Sequence, residues 1–142
     1  MLLPDVNVLL AGFRSDHDHH RLARDFLETA RGQETPIGLS DVALASVVRL
    51  ATNARVFVRP DTTAAVIDYV DALLERPGQL LCAGTTHWPR FAELCRSLKL
   101  RGNLVPDAYL AAIVLEQGAE LVTFDRGFGR YPGLRWRCLL DG

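Results

Sequence analysis

Four aspartates stand where the chain changes from one kind of local pattern to another, and they set the chemistry open to this protein. Asp5 separates two apolar runs, Leu2–Leu3 and Val6–Leu10, and Asp125 ends the run 121–124. Asp41 and Asp107 follow Ser40 and Pro106 at the heads of long apolar-rich segments. A carboxylate between apolar segments is costly to bury without a partner. The pattern is economical if buried strands end at Asp5 and Asp125 while helices open at Asp41 and Asp107. In a parallel α/β sheet both kinds of position face one crevice beyond the carboxyl ends of the strands. Carboxylates gathered there repel: two unit charges about 4 Å apart cost on the order of 4 kcal/mol at an effective dielectric near 20. Such a group calls for a bound cation, protonation or separation. Oxygen donors without cysteine or histidine at ligand spacing point to Mg²⁺ or Mn²⁺ and away from zinc. The chemistry that best uses such a site is phosphoryl or phosphodiester transfer, with water as the nucleophile. Taken singly, each aspartate has a structural alternative as a helix cap; it is the recurrence that carries the argument.

The elements that must position these residues alternate. A short strand ends at Asp5, and Asn7 lies on the opening turn of the helix that follows. Leu22, Phe26, Leu27 and Ala30 recur at helical spacing in a segment from His17 to Ala30, closed by Gly32. Residues 36–39 fit a second strand, after which Ser40 caps a helix with Asp41 in its first turn. Arg49 falls among the apolar residues of this helix, either reaching a carboxylate or snorkelling to solvent. Thr62 or Thr63 caps the next helix, and residues 80–83 fit another buried strand. Pro106 suits a first helical position, and Asp107 sits where the helix dipole favours an anion. The helix behind it, apolar nearly all round, is expected to be central and to stop at Gly118. A strand over 121–124 then runs into Asp125, and 134–140 alternates as a final edge strand. The expected architecture is one α/β domain over 1–142, with a mainly parallel sheet of four to five strands and helices on both faces.

Composition narrows the class. The chain has 142 residues, 49% hydrophobic and 23% charged, with no apolar run long enough to cross a bilayer. Its three cysteines form neither a metal spacing nor a disulfide framework, which suits reduced thiols in a cytoplasm. Net charge is −1, so no global basic field announces nucleic acid. Lys99 is the only lysine; the arginine excess fits either phosphate contacts or a GC-rich coding bias. His17, His19 and His20 suggest a metal cluster at first sight, but no cysteine or third fixed ligand accompanies them, and a solvated helix start is the favoured reading.

Several blocks carry a resemblance. Leu-Pro-Asp-Val-Asn-Val-Leu at 3–9, Asn-Leu-Val-Pro-Asp-Ala-Tyr-Leu-Ala-Ala at 103–112 and Leu-Val-Thr-Phe-Asp-Arg-Gly-Phe at 121–128 are similar to PIN-domain proteins. The blocks at 48–53 and 131–136 extend the similarity to VapC-type toxins of bacterial toxin–antitoxin modules. The resemblance implies a PIN-like fold and a Mg²⁺- or Mn²⁺-dependent endoribonuclease, with an RNA substrate, a cognate antitoxin and a homodimeric state. It implies metal-site acids at Asp5, Asp107 and Asp125, with Asn7 and Thr123 as polar neighbours. Many relatives carry a glutamate near the position of Leu44; here Asp41, one turn earlier, is offered as the further catalytic acid. Two other functions are compatible with a strand-end aspartate. A haloacid-dehalogenase-like phosphatase would want a second acid two residues on, where Asn7 stands, and a later lysine. A non-catalytic module would use the acids only as caps.

Overall fold

The computed structural model describes residues 1–142. Strand β1 (Leu2–Pro4) leads into α1 (Val6–Phe13) and α2 (His20–Gly32), and β2 (Ile37–Ser40) leads into α3 (Asp41–Ala51) and α4 (Thr63–Leu74). Then β3 (Gly78–Leu81) precedes α5 (His87–Ser97) and α6 (Leu104–Gln117), followed by β4 (Glu120–Thr123) and β5 (Trp136–Cys138). Short 3₁₀ turns occupy Arg126–Arg130 and Leu139–Asp141.

All five strands pair in parallel in the order β3-β2-β1-β4-β5. Successive strands from β1 run outward to β3, and the chain then returns to the other side of β1 for β4 and β5. The strand order therefore reverses between β1 and β4, and the crevice at that reversal is where open α/β sheets bind ligands. Alternate strand residues serve opposite layers. Leu3 and Leu121 pack with Leu94 of α5 and Ala111 and Ile113 of α6. Ile37 and Leu39 pack with Leu9, Leu27, Val47 and Val66 of α1–α4. Helix α6 buries Ala108 and every residue from Leu110 to Val114, as its nearly continuous apolar sequence requires, and Gly118 ends it in the left-handed conformation, φ 61°.

Pro4 stands in a central strand, where a missing donor would break the ladder. Leu2 N–H donates to the Pro36 carbonyl on the β2 side, and Asp5 N–H donates to the Val122 carbonyl on the β4 side. Alternation turns residue 4 toward β2, and β1–β2 pairing is confined to Leu2 opposite Ile37. The proline thus opens the sheet at the end of β1, beside Asp5.

Several element boundaries differ from expectation, among them β3, which runs Gly78–Leu81 with only Leu81 buried where a buried strand over 80–83 was expected. Helix α2 starts at His20, because residues 14–19 form a loop in which Arg14 grips Asp16. Helix α6 starts at Leu104, which leaves Pro106 within the first turn, where its absent N–H costs no helical bond. Strand β5 is short because the chain turns at Leu139 and Asp141 pairs with Arg126.

Candidate active site

The site starts from a hydroxyl with no freedom. Thr123, the last residue of β4 and 0% exposed, receives N–H donations from Asn7 Nδ2 at 3.3 Å and from the Asp125 backbone at 3.0 Å. Those fill its two acceptor positions, so its single proton goes to Asp5 Oδ2, 2.7 Å away. The other Asp5 oxygen accepts from Val6 N–H at 2.7 Å and caps α1. Asn7 is pinned in turn, its Oδ1 accepting from Phe124 N–H at 3.3 Å. One network therefore joins the ends of β1 and β4 across the strand-order reversal and orients the Asp5 carboxylate.

Electrostatics works against that carboxylate. Asp5 is 8% exposed, and burial chiefly, with added repulsion from Asp107 and Asp125, pushes its pKa up to about 6 despite the bonds from Thr123 and Val6. Asp107 is half-buried in the first turn of α6 and receives no hydrogen bond from the protein. Burial and then the Asp125 charge raise its carboxyl above the usual range, while Arg130 pulls it down. Asp125 is exposed, and its Oδ1 accepts from Gly127 N–H at 2.7 Å, opening the 3₁₀ turn. The three aspartates thus share one electrostatic neighbourhood.

Asp5 and Asp107 line one small cleft together with Ser40, Ser46, Val42 and Tyr109. No histidine, lysine or cysteine lines it, so neither serine has a base to activate it. No three acidic, histidine or cysteine side chains in the chain are grouped closely enough to hold a metal ion between them. The donor set is carboxylate and hydroxyl oxygen, one carboxylate lacks any partner, and another is held above its normal pKa. This suits a hard cation such as Mg²⁺, which binds through one or two carboxylates and keeps several waters.

Asp41 does not join this group. Ser40, fully buried, takes the α3 cap by accepting from Ala43 N–H, which leaves Asp41 exposed with its carboxylate on Val42 N–H at 2.7 Å. From there it lies against the Cys82 thiol beyond the end of β3, raising that thiol's pKa through a hydrogen bond and its charge. The start of α3 does face the cleft, but with the side that carries Ser40, Val42, Ala43 and Ser46, so Asp41 points away from it. Leu44, near the glutamate position of many relatives, is buried in the core. Ser46 was not singled out in the sequence; its signal was a polar residue amid Val42–Val48. Arg49 is exposed and joins no ion pair, which favours the snorkelling alternative.

The histidines take local roles. His20 Nδ1 lies 2.7 Å from the Ala11 carbonyl, and His17 Nδ1 accepts from His19 N–H at 3.1 Å. The His19 ring packs on Phe124, next to Asp125, with ring centroids 4.8 Å apart.

Comparison with known proteins agrees with this architecture. The PIN domain family matches residues 2–134. Ribonuclease VapC43 of Mycobacterium tuberculosis is 42% identical over 100% of this chain and 97% of its own length. Among solved structures, Mycobacterium tuberculosis VapC20, described as a sarcin-ricin loop cleaving toxin, superposes with a TM-score of 0.69 at 14% identity. That match covers 91% of this chain and 93% of that one. A toxin–antitoxin complex from Klebsiella pneumoniae superposes with a TM-score of 0.66 at 22% identity, covering 94% and 95%. The sheet order, the acid-bearing strand ends and full-length similarity lead to one conclusion: the chain belongs to the PIN-domain family, within its branch of VapC ribonucleases.

Proposed function

We propose that this protein is the toxin of a toxin–antitoxin pair, a Mg²⁺- or Mn²⁺-dependent endoribonuclease with Asp5, Asp107 and Asp125 as its metal-site acids. The observation that carries the proposal is the fully committed Thr123 hydroxyl, which aims the raised-pKa Asp5 carboxylate at the cleft it shares with the unpartnered Asp107. When bound, the ion supplies a water of lowered pKa and offsets charge on the attacked phosphate. The chain's residues do the rest. Thr123 orients the Asp5 carboxylate and is itself fixed by Asn7, Asp107 at the head of α6 shares its cleft, and Asp125 completes the acidic edge. Water adds to phosphorus, one ribose–oxygen bond to phosphorus breaks, and the departing ribose oxygen ends protonated.

An antitoxin is proposed as the partner because the VapC43 similarity spans the chain and the Klebsiella pneumoniae structure is described as a toxin–antitoxin complex. A homodimer is proposed because Val42 at 47%, Leu80 at 56% and Trp88 at 68% leave large apolar side chains exposed. Trp88 reaches the cleft through Phe91 and Tyr109, with ring centroids 5.5 and 5.6 Å apart.

The test is cleavage of a labelled, looped RNA by the purified protein in Mg²⁺ or Mn²⁺, against EDTA and against Asp107→Asn. Cleavage that needs the metal and Asp107 supports the proposal. Release of phosphate from small esters, or neither activity, would replace it with a phosphatase or a binding module.

A further inference from the structure

The turn after Asp125 holds a cation whose role the acids do not explain. Arg130 donates from Nε to the Gly127 carbonyl at 2.8 Å. Two nearby arginines are already committed: Arg126 to Asp141 and Arg137 to Glu120. Arg130 is exposed and pairs with no carboxylate, although Asp125 lies on the same turn. Gly127 explains how both fit. A Cβ there would lie 2.9 Å from Asp125 Oδ1 and 3.0 Å from a terminal nitrogen of Arg130, so the two side-chain ends sit side by side over the bare Gly127 backbone. Tethered through Nε, the guanidinium keeps four N–H donors on its terminal nitrogens, in a planar fork that matches phosphate. The Arg130 charge also reaches Asp107, which puts it at the same crevice.

We infer that Arg130 is a phosphate-binding residue for the RNA strand, its tethered fork holding a backbone phosphate beside Asp125 as the strand crosses the acidic crevice. The inference rests on the ribonuclease proposal. An acidic crevice repels a polyanion, and one fixed cation at its rim sets where the strand enters without neutralising the metal-site acids. A phosphate contact made through counterion release leaves a measurable signature in salt dependence.

The test uses short single-stranded RNA and the full chain. In the Asp5→Asn background with EDTA, binding is followed across salt concentrations with and without Arg130→Gln. The expected result is a slope of log affinity against log salt that is shallower by about 0.7. In the otherwise native enzyme, Arg130→Gln should raise KM about tenfold, the size of one charge-assisted contact, and lower kcat by much less. Arg130→Lys loses the Nε tether but keeps the charge, so it should keep the parental slope. Arg24→Gln, on the exposed face of α2, should change none of these. An unchanged slope and KM in Arg130→Gln, or a lysine variant as defective in slope as the glutamine one, would overturn the inference. A parental protein that cleaves no RNA would instead overturn the ribonuclease proposal on which it rests.

Discussion

Helix α1 carries a buried charge at each end, and the two ends are built in opposite ways. At its start Asp5 is 8% exposed; just past its end Arg14 is 7% exposed. Both signs suit the helix dipole. Arg14 is compensated on every side: it bonds Asp16 at 2.6 Å, Asp61 at 2.7 Å and the Arg59 carbonyl at 2.8 Å, and its guanidinium lies 4.0 Å from the centroid of the Phe57 ring. Asp5 has two hydrogen bonds and no cation, and the nearest charges that act on it are two further aspartates. A buried charge with its own counter-charges closes a structure; one surrounded by like charges leaves a place for something else. Arg14 clasps the α1–α2 loop to the α3–α4 connector, whereas Asp5 anticipates an ion.

The largest effect expected from this contrast is on cleavage. Asp5→Asn and Asp107→Asn should each lower kcat/KM for RNA by more than about a hundredfold, as loss of electrostatic stabilisation at a reacting phosphate does elsewhere. Circular dichroism should report an intact fold in both. Parental rates in either variant would break the contrast at its functional end.

The pH dependence of stability comes next. An acid whose pKa is raised by folding adds stability below its unfolded value near 3.8, and that stability is lost as pH rises through the folded value, here about 6. In EDTA, urea unfolding should show the parent losing about 2 kcal/mol between pH 4 and pH 7 relative to Asp5→Asn. Mn²⁺ at pH 7 should recover much of that loss. A parental curve parallel to that of the variant would mean Asp5 carries no burial cost.

Arg14→Met should cost about 2 kcal/mol by urea unfolding at pH 7, below the range for fully buried pairs because Asp16 can turn to water. RNA cleavage by this variant should survive under conditions where it stays folded. The smallest effect is assigned to Asp41→Asn: a few tenths of a kcal/mol, since it only holds its own helix's first turn, with Mn²⁺ affinity unchanged. A loss of Mn²⁺ affinity there would return Asp41 to the metal site.

Much of this was legible in the sequence, because apolar runs that stop at an acid report strand ends. Asp5 meets Asn7 and Thr123 at the strand-order reversal and shares a cleft with Asp107, while Asp125 lies outside that cleft and is linked through its backbone N–H to Thr123. Asp41 was expected at the same place and lies elsewhere, since periodicity locates a helix start but not which side of its first turn meets the cleft: Val42, Ala43 and Ser46 do, and Asp41 does not. Ser46 and Arg130 were missed for a related reason. A lone serine in an apolar helix and one arginine among fifteen acquire meaning only when the fold brings them to the cleft and to Gly127.

The central claim is that Asp5 is held near its titration point until a divalent cation binds. Calorimetric titration of Mn²⁺ into the metal-free protein at pH 6, repeated in buffers of different ionisation enthalpy, measures this directly. The account predicts saturable binding that releases about half a proton, because a carboxyl with a pKa of about 6 is half protonated there and must ionise to act as a ligand. Asp5→Asn should release markedly less. Binding by the parental protein without proton release, or no binding at all, would contradict it.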